Sequence, residues 1–134
     1  MSKEFLNPAT LMSPFGYSHV TKVSNCTLVH VSGQVSSDAS GQLVGEGNLE
    51  AQAEQVFKNL KLAIEAAGGT MADIVKMNVY LVAEVDQAEI PKFRAVRDRY
   101  VNTAKPPAST LAVITRLARP GWLIEIEAVA AIDA

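Results

Sequence analysis

Two glutamates and a serine–threonine pair offer the plainest acid–base and hydrogen-bonding chemistry in the chain. In Ile124-Glu125-Ile126-Glu127-Ala128 apolar and acidic residues alternate, so a strand there turns the isoleucines one way and Glu125 and Glu127 the other. A carboxylate so placed can take a proton from water or return one. It can equally be a solvated or interface group on a strand whose isoleucines supply the core. Both glutamates have the same parity, and alternation alone does not choose between them. Ser109 and Thr110 carry hydroxyls that both donate and accept neutral hydrogen bonds. His19 and His30 fall on neighbouring predicted strands, but two histidines without a third ligand make a poor zinc site, and no metal is expected. Cys26, the single cysteine, permits no intrachain disulfide, suits a reducing cytosol and reads as a buried thiol.

The familiar signatures of other chemistries are missing: there is no G-x-G-x-x-G, no G-x-x-x-x-G-K-[ST], no H-E-x-x-H and no G-x-S-x-G. A formal charge of -2 with no Lys/Arg stripe argues against nucleic acid as a partner. No apolar run approaches the roughly 20 residues that cross a bilayer, and Met1 to Pro8 has no basic segment leading into an apolar leader. The expectation is a cytoplasmic protein with no membrane partner.

Positioning these groups is the task of the surrounding elements. At 134 residues, 49% of them apolar, the chain can bury one core, so residues 1–134 are expected to form a single domain. Tyr17 to Val23, the turn-like Ser24-Asn25 and β-branched Thr27 to Val31 read as a hairpin. Asp38, Ser40, Gly41, Gly45 and Gly47 mark a loop. Asn48 is placed to cap a helix whose apolar stripe is Ala53, Val56, Phe57, Leu60, Ile64 and Ala67, with Glu50, Gln52, Gln55, Lys58, Asn59 and Lys61 on a solvated face; Gly68-Gly69 stops it. Ile74 to Val82 reads as a strand. Asp86 and Glu89 are spaced like a capping box for a second helix, striped by Ile90, Phe93, Val96, Tyr100 and Val101, with Pro91 in its first turn. Pro106-Pro107 ends it, and strands follow at Ser109 to Ile114 and Leu123 to Ala131, around a Pro120-Gly121 turn.

The order ββαβαββ implies an α+β fold with a mixed sheet and two helices on one face. Thr27 to Val31 and Ile74 to Val82 look apolar on both sides, which predicts that another subunit covers the helix-free face.

Five short motifs occur in order along the chain: Pro14-Phe15-Gly16-Tyr17-Ser18-His19, Val31-Ser32-Gly33-Gln34, Asp73-Ile74-Val75-Lys76, Pro107-Ala108-Ser109-Thr110 and Ile124-Glu125-Ile126-Glu127-Ala128. Together with Ala66-Ala67-Gly68 they resemble the Rid/YjgF family of reactive-intermediate (enamine/imine) deaminases over nearly the whole chain. The resemblance implies a chorismate-mutase-like fold, a homotrimer and small-molecule sites in the clefts between subunits. It also implies hydrolysis of 2-aminoacrylate and related enamines or imines to a keto acid and ammonia with no cofactor. A protonated imine is already electrophilic, so the site need only hold it, orient a water and manage protons.

By the same resemblance Glu125 matches the glutamate that assists the water, Tyr17 the cleft tyrosine, and Ser32 and Gly33 the strand-end pair lining the cleft. One position departs. Where active members carry an arginine that forks onto the substrate carboxylate, this chain has Ser109. Losing such a pair commonly costs about 2–5 kcal/mol, which predicts poor binding of 2-aminoacrylate. Arg116 and Arg119 follow the same strand, but Arg116 has the opposite parity and matches an arginine the family carries in addition. The reading is a deaminase of altered preference in which Ser109 and Thr110 give neutral hydrogen bonds. The alternative is a non-catalytic, small-molecule-binding regulatory trimer. An endoribonuclease or translation inhibitor is disfavoured by the missing basic patch.

Overall fold

Helix α1 (Leu49–Ala66) forms where expected: the Asn48 side chain accepts from the Ala51 amide at 3.0 Å, and Ala53, Val56, Phe57, Leu60 and Ile64 make one fully buried face. The computed structural model describes residues 1–134. In chain order the strands are β1 (Ser2–Leu6), β2 (Val20–Ser24), β3 (Cys26–Val35), β4 (Ile74–Val82), β5 (Ala108–Ile114) and β6 (Ile124–Asp133), and the second helix is α2 (Ile90–Asp98). Two single 3₁₀ turns precede β4 and α2. The expected ββαβαββ order holds from Val20 onward, with β1 added in front.

The main sheet is mixed, in the order β3-β6-β4-β5, with β4 and β5 parallel and β6 antiparallel to both of its neighbours. Each helix is the crossover between strands that run the same way, which the handedness of the chain sends to one face of the sheet. That face meets Met77, Val79 and Leu81 of β4 and Ile124, Ile126, Ala128 and Ala130 of β6, which join α1, Phe93 and Val96 in the core. No helix is long and apolar enough to cross a membrane.

The expected hairpin between β2 and β3 does not form. Only Asn25 separates them, too few residues for a two-residue hairpin loop. Its φ of 52° turns the chain from one ladder into another. β2 pairs instead with β1, from Ser2↔Ser24 to Leu6↔Val20, and that ladder reaches β5 through the bridge Ser18↔Ala108. Cys26, at the junction, is half-buried rather than buried.

Three further expectations are corrected. The supposed capping box ahead of α2 is two separate devices: Asp86 caps the 3₁₀ turn through the Ala88 amide, and Pro91 opens the helix. α2 ends at Asp98, so Tyr100 and Val101 pack from the segment after it. The helix-free face is not apolar on β4, where Lys76, Asn78 and Tyr80 lie on it beside Glu125 and Glu127 of β6. Exposed apolar side chains sit at Leu28 of β3, on that same face opposite Ala131, and at Leu111 and Val113 of β5 on the helix side; α2 leans on α1 and leaves β5 uncovered.

Glu54 of α1 clamps the segment after α2 by accepting hydrogen bonds from the Tyr100 hydroxyl and from Arg99 Nη2. The Tyr100 bond, helped by Arg99 and opposed by burial, holds the Glu54 carboxyl below its ordinary value of 4.5. Burial first, and then the bond to Glu54, pushes the Tyr100 phenol from 10.0 up to about 12. The Glu54 contribution to stability is therefore present above pH 4.5 and lost as pH falls through its lowered pKa. The Tyr100 contribution is complete below pH 10.0 and lost as pH rises toward about 12. Ultraviolet titration of the phenolates is expected to show a late step near pH 12 that Tyr100→Phe removes. A wild-type titration in which all three phenols ionise near the ordinary 10.0 would refute the clamp.

Candidate functional site

Glu127 and Glu125 share a face, yet their surroundings differ. The Glu127 carboxylate accepts from the Tyr80 hydroxyl at 2.5 Å and from Asn78 Nδ2 at 3.3 Å, both on neighbouring β4. That bond, with burial and the charges of Glu127 and Glu125, raises the Tyr80 phenol above its ordinary value. Glu125 lies one strand-pair further along, opposite Val35 of β3, and its carboxylate rests against Gly33. A methyl group built on Gly33 would lie 2.0 Å from Glu125 Oε1, so the bare glycine is what lets the acid sit there.

Ser32 and Gly33 fall in the register shift of β3 between Val31 and Gln34, and both are exposed. Such an irregularity leaves residues unpaired at a sheet edge and re-aims them. Ser32, Gly33 and Glu125 thus form one corner. Beside it on the open face is a cleft of about 220 Å³ lined by His30, Ser32, Lys76, Asn78 and Glu127. The signal for the β4 part of that lining is the alternation of Lys76, Asn78 and Tyr80 with Met77, Val79 and Leu81, inside a strand that reads as apolar on both sides.

Tyr17, Ser109 and Thr110 lie at the opposite edge. The Ser18 amide donates to Pro107 O at 3.1 Å and the Ser18 hydroxyl to Pro106 O at 2.6 Å, which ties the Tyr17 segment to the start of β5. The Tyr17 ring meets His19 edge-on at 5.4 Å, and His19 Nε2 is 2.6 Å from Met12 O. Ser109 and Thr110 part company: Ser109 is in register with buried Met77 and shares its face, whereas Thr110 faces the open side and accepts from Lys76 Nζ at 3.1 Å. β3 and β5 are the two edges of the main sheet, so the Ser32–Gly33 side of the corner and the edge at Ser109 stand roughly 14 Å apart, three strand spacings. One chain does not bring them together.

Arg116 and Arg119 do not reach Ser109. They follow the far end of β5, roughly 17 Å along the strand, where Arg116 Nη1 donates to Leu117 O and Arg119 stacks over Trp122 at 5.5 Å. Two other arginines, both on α2, touch the segment before Tyr17. Arg94 lies over the Phe15 ring at 5.3 Å, and the Arg97 guanidinium packs on Gly16.

Comparison with known proteins matches residues 9–132 to the family model described as Endoribonuclease L-PSP. Protein HMF1 of Saccharomyces cerevisiae is 39% identical over 116 residues, 86% of this chain and 83% of that protein. A 2-iminobutanoate/2-iminopropanoate deaminase of Dermatophagoides farinae is 28% identical over 134 residues, 98% of each. The crystal structure of the Rid-family protein YyfB of Yersinia pestis, itself of unknown function, superposes with a TM-score of 0.89 at 35% identity, covering 98% of this chain and 100% of that one.

Proposed function

The chain belongs to the Rid/YjgF family, and we propose that within it the protein is a cofactor-independent hydrolase of an enamine or imine, working as a homotrimer with one cleft per subunit boundary. The observation that carries this reading is the seat of Glu125: a carboxylate laid on a bare glycine at an exposed corner, while its neighbour Glu127 is engaged by Tyr80 and Asn78. In the cleft, water adds to the carbon of the protonated C=N group as Glu125 takes its proton. Returning that proton to nitrogen lets ammonia leave and the carbonyl form, so one water is consumed for each ammonia released. Ser32 and Gly33 line the Glu125 side, and Tyr17 and Ser109 of an adjacent copy close the other.

The wide separation of the two edges supports a shared site, since a second copy supplies what one chain keeps apart. The uncovered Leu111 and Val113, 38% and 59% exposed, give such a copy apolar surface to bury. Ser109 gives this cleft a neutral hydroxyl in place of the family's arginine, so the preferred substrate lacks a carboxylate at that spot.

Imines released from primary amines by a flavin amine oxidase, and from amino acids by an amino-acid oxidase, test this directly through trapping of surviving imine and ammonia release. Turnover is expected for imines without an α-carboxylate, with 2-iminopropanoate poorer. Ser109→Arg is expected to raise kcat/KM for 2-iminopropanoate about thirtyfold or more, the equivalent of about 2 kcal/mol or more. No acceleration with any imine would reject the reading in favour of a binding protein, and mass measurement in solution checks the trimer.

A further inference from the structure

The Tyr17 segment is gripped from two sides. Ser18 ties it to the start of β5, as described above, while α2 presses on Phe15 and Gly16. Gly16 has a φ of 76°, and a methyl group there would lie 2.2 Å from Arg97 Nη2, so the segment is shaped to receive a guanidinium. Arg97 is only 8% exposed and pairs with Asp98 Oδ1 at 2.9 Å. One helical turn earlier Arg94 lies over the ring of Phe15, a residue 72% exposed. The ion pairs of α2 and its flanks engage Lys92, Arg97 and Arg99; Arg94 is in none of them.

A guanidinium outside every ion pair, held over exposed Phe15, with a second, buried one on the adjacent Gly16, is a construction for a carboxylate or similar anion. Ser109 lies on the other side of the same segment and brings no charge. We propose that Arg94, backed by Arg97, is the anion-recognising group of this cleft. The substrate is then an enamine or imine with an acidic group further from the C=N bond than an α-carboxylate. The positive charge has moved from the sheet edge to the helix, and the accepted molecule is correspondingly longer.

This inference rests on the deaminase reading for its substrate, but recognition of the anion can be tested separately. Arg94 is exposed, so Arg94→Gln should fold normally. The expected result is that kcat/KM for the imine of 4-aminobutanoate falls about ten- to a hundredfold in the variant, while that for the imine of butylamine, which lacks the acid, stays unchanged. Arg94→Lys is expected to recover part of the loss. Equal effects on both imines would overturn the proposal. If no imine is hydrolysed, calorimetric binding of glutarate decides instead: binding to wild type that weakens about tenfold or more in Arg94→Gln and falls with added salt supports it. Glutarate bound by neither protein, or by both alike, overturns it.

Discussion

Gly33→Ala is expected to lower imine hydrolysis by about a hundredfold or more while leaving the melting temperature within a few degrees of wild type. The added methyl would fall 2.0 Å from Glu125 Oε1 and 2.8 Å from its Cδ, inside any permissible contact. What yields is the end of a flexible side chain, not backbone, so the carboxylate swings away at little conformational cost. Gly33 is exposed and is not among the positive-φ residues, so alanine suits its backbone. The variant therefore removes the position of the acid without removing the acid. Glu125→Gln, which keeps the shape and removes the proton acceptor, should show a loss of similar size, and the double variant should be scarcely worse than either single one, as for groups acting as a unit. Full activity in Gly33→Ala, or independent losses that multiply in the double variant, would mean that Glu125 does not act from this seat. Full activity in Glu127→Gln is the companion expectation, because that side chain already serves Tyr80 and Asn78.

How far the residues themselves disclosed this arrangement depended on the range of the interaction. Local periodicity sufficed for α1, whose stripe from Ala53 to Ile64 lies wholly inside, and for the alternation that turns Glu125 and Glu127 outward together. The order of the short motifs disclosed the family and, through it, the fold. Pairing between distant segments was not legible. β1 is five residues with only Lys3 and Phe5 half-buried, a pattern too short and too polar to stand out, and it exists because β2 lies beside it. The same limit hid Arg94 and Arg97: helical spacing shows which way α2 turns its side chains, but not that Phe15 and Gly16 lie against them. Parity did separate Ser109 from Thr110 in principle. Grouping both as cleft residues ignored that neighbours on a strand face opposite ways.

Gln52 shows what a binary pattern conceals. By residue type it belongs with Glu50, Gln55 and Lys58 on the solvated side, yet it flanks the apolar stripe next to Val56 and is fully buried. Its Nε2 donates to Gly121 O at 2.8 Å and to Gly45 O at 3.2 Å, and its Oε1 accepts from the Leu123 amide at 2.8 Å. One side chain thus ties α1 to the loop before it and to the turn that leads into β6. Asn59 does a related service two turns further along the same side, donating to Val35 O and Ser37 O at 3.0 Å each. Gln52→Leu keeps the bulk and strands an amide and two carbonyls, and each buried polar group left unpaired costs about 1–3 kcal/mol. The expected loss is about 4 kcal/mol, against a total stability on the order of 5–15 kcal/mol for a domain, and a fall in melting temperature of about 15 °C. Because the Leu123 amide stands next to the strand that carries Glu125, hydrogen exchange should quicken first at Leu123 and Ile124 in the variant, before the rest of the sheet opens. A Gln52→Leu protein as heat-stable as wild type would show that water readily takes over these three bonds, and that the α1 anchor holds less of the β6 entrance than its geometry indicates.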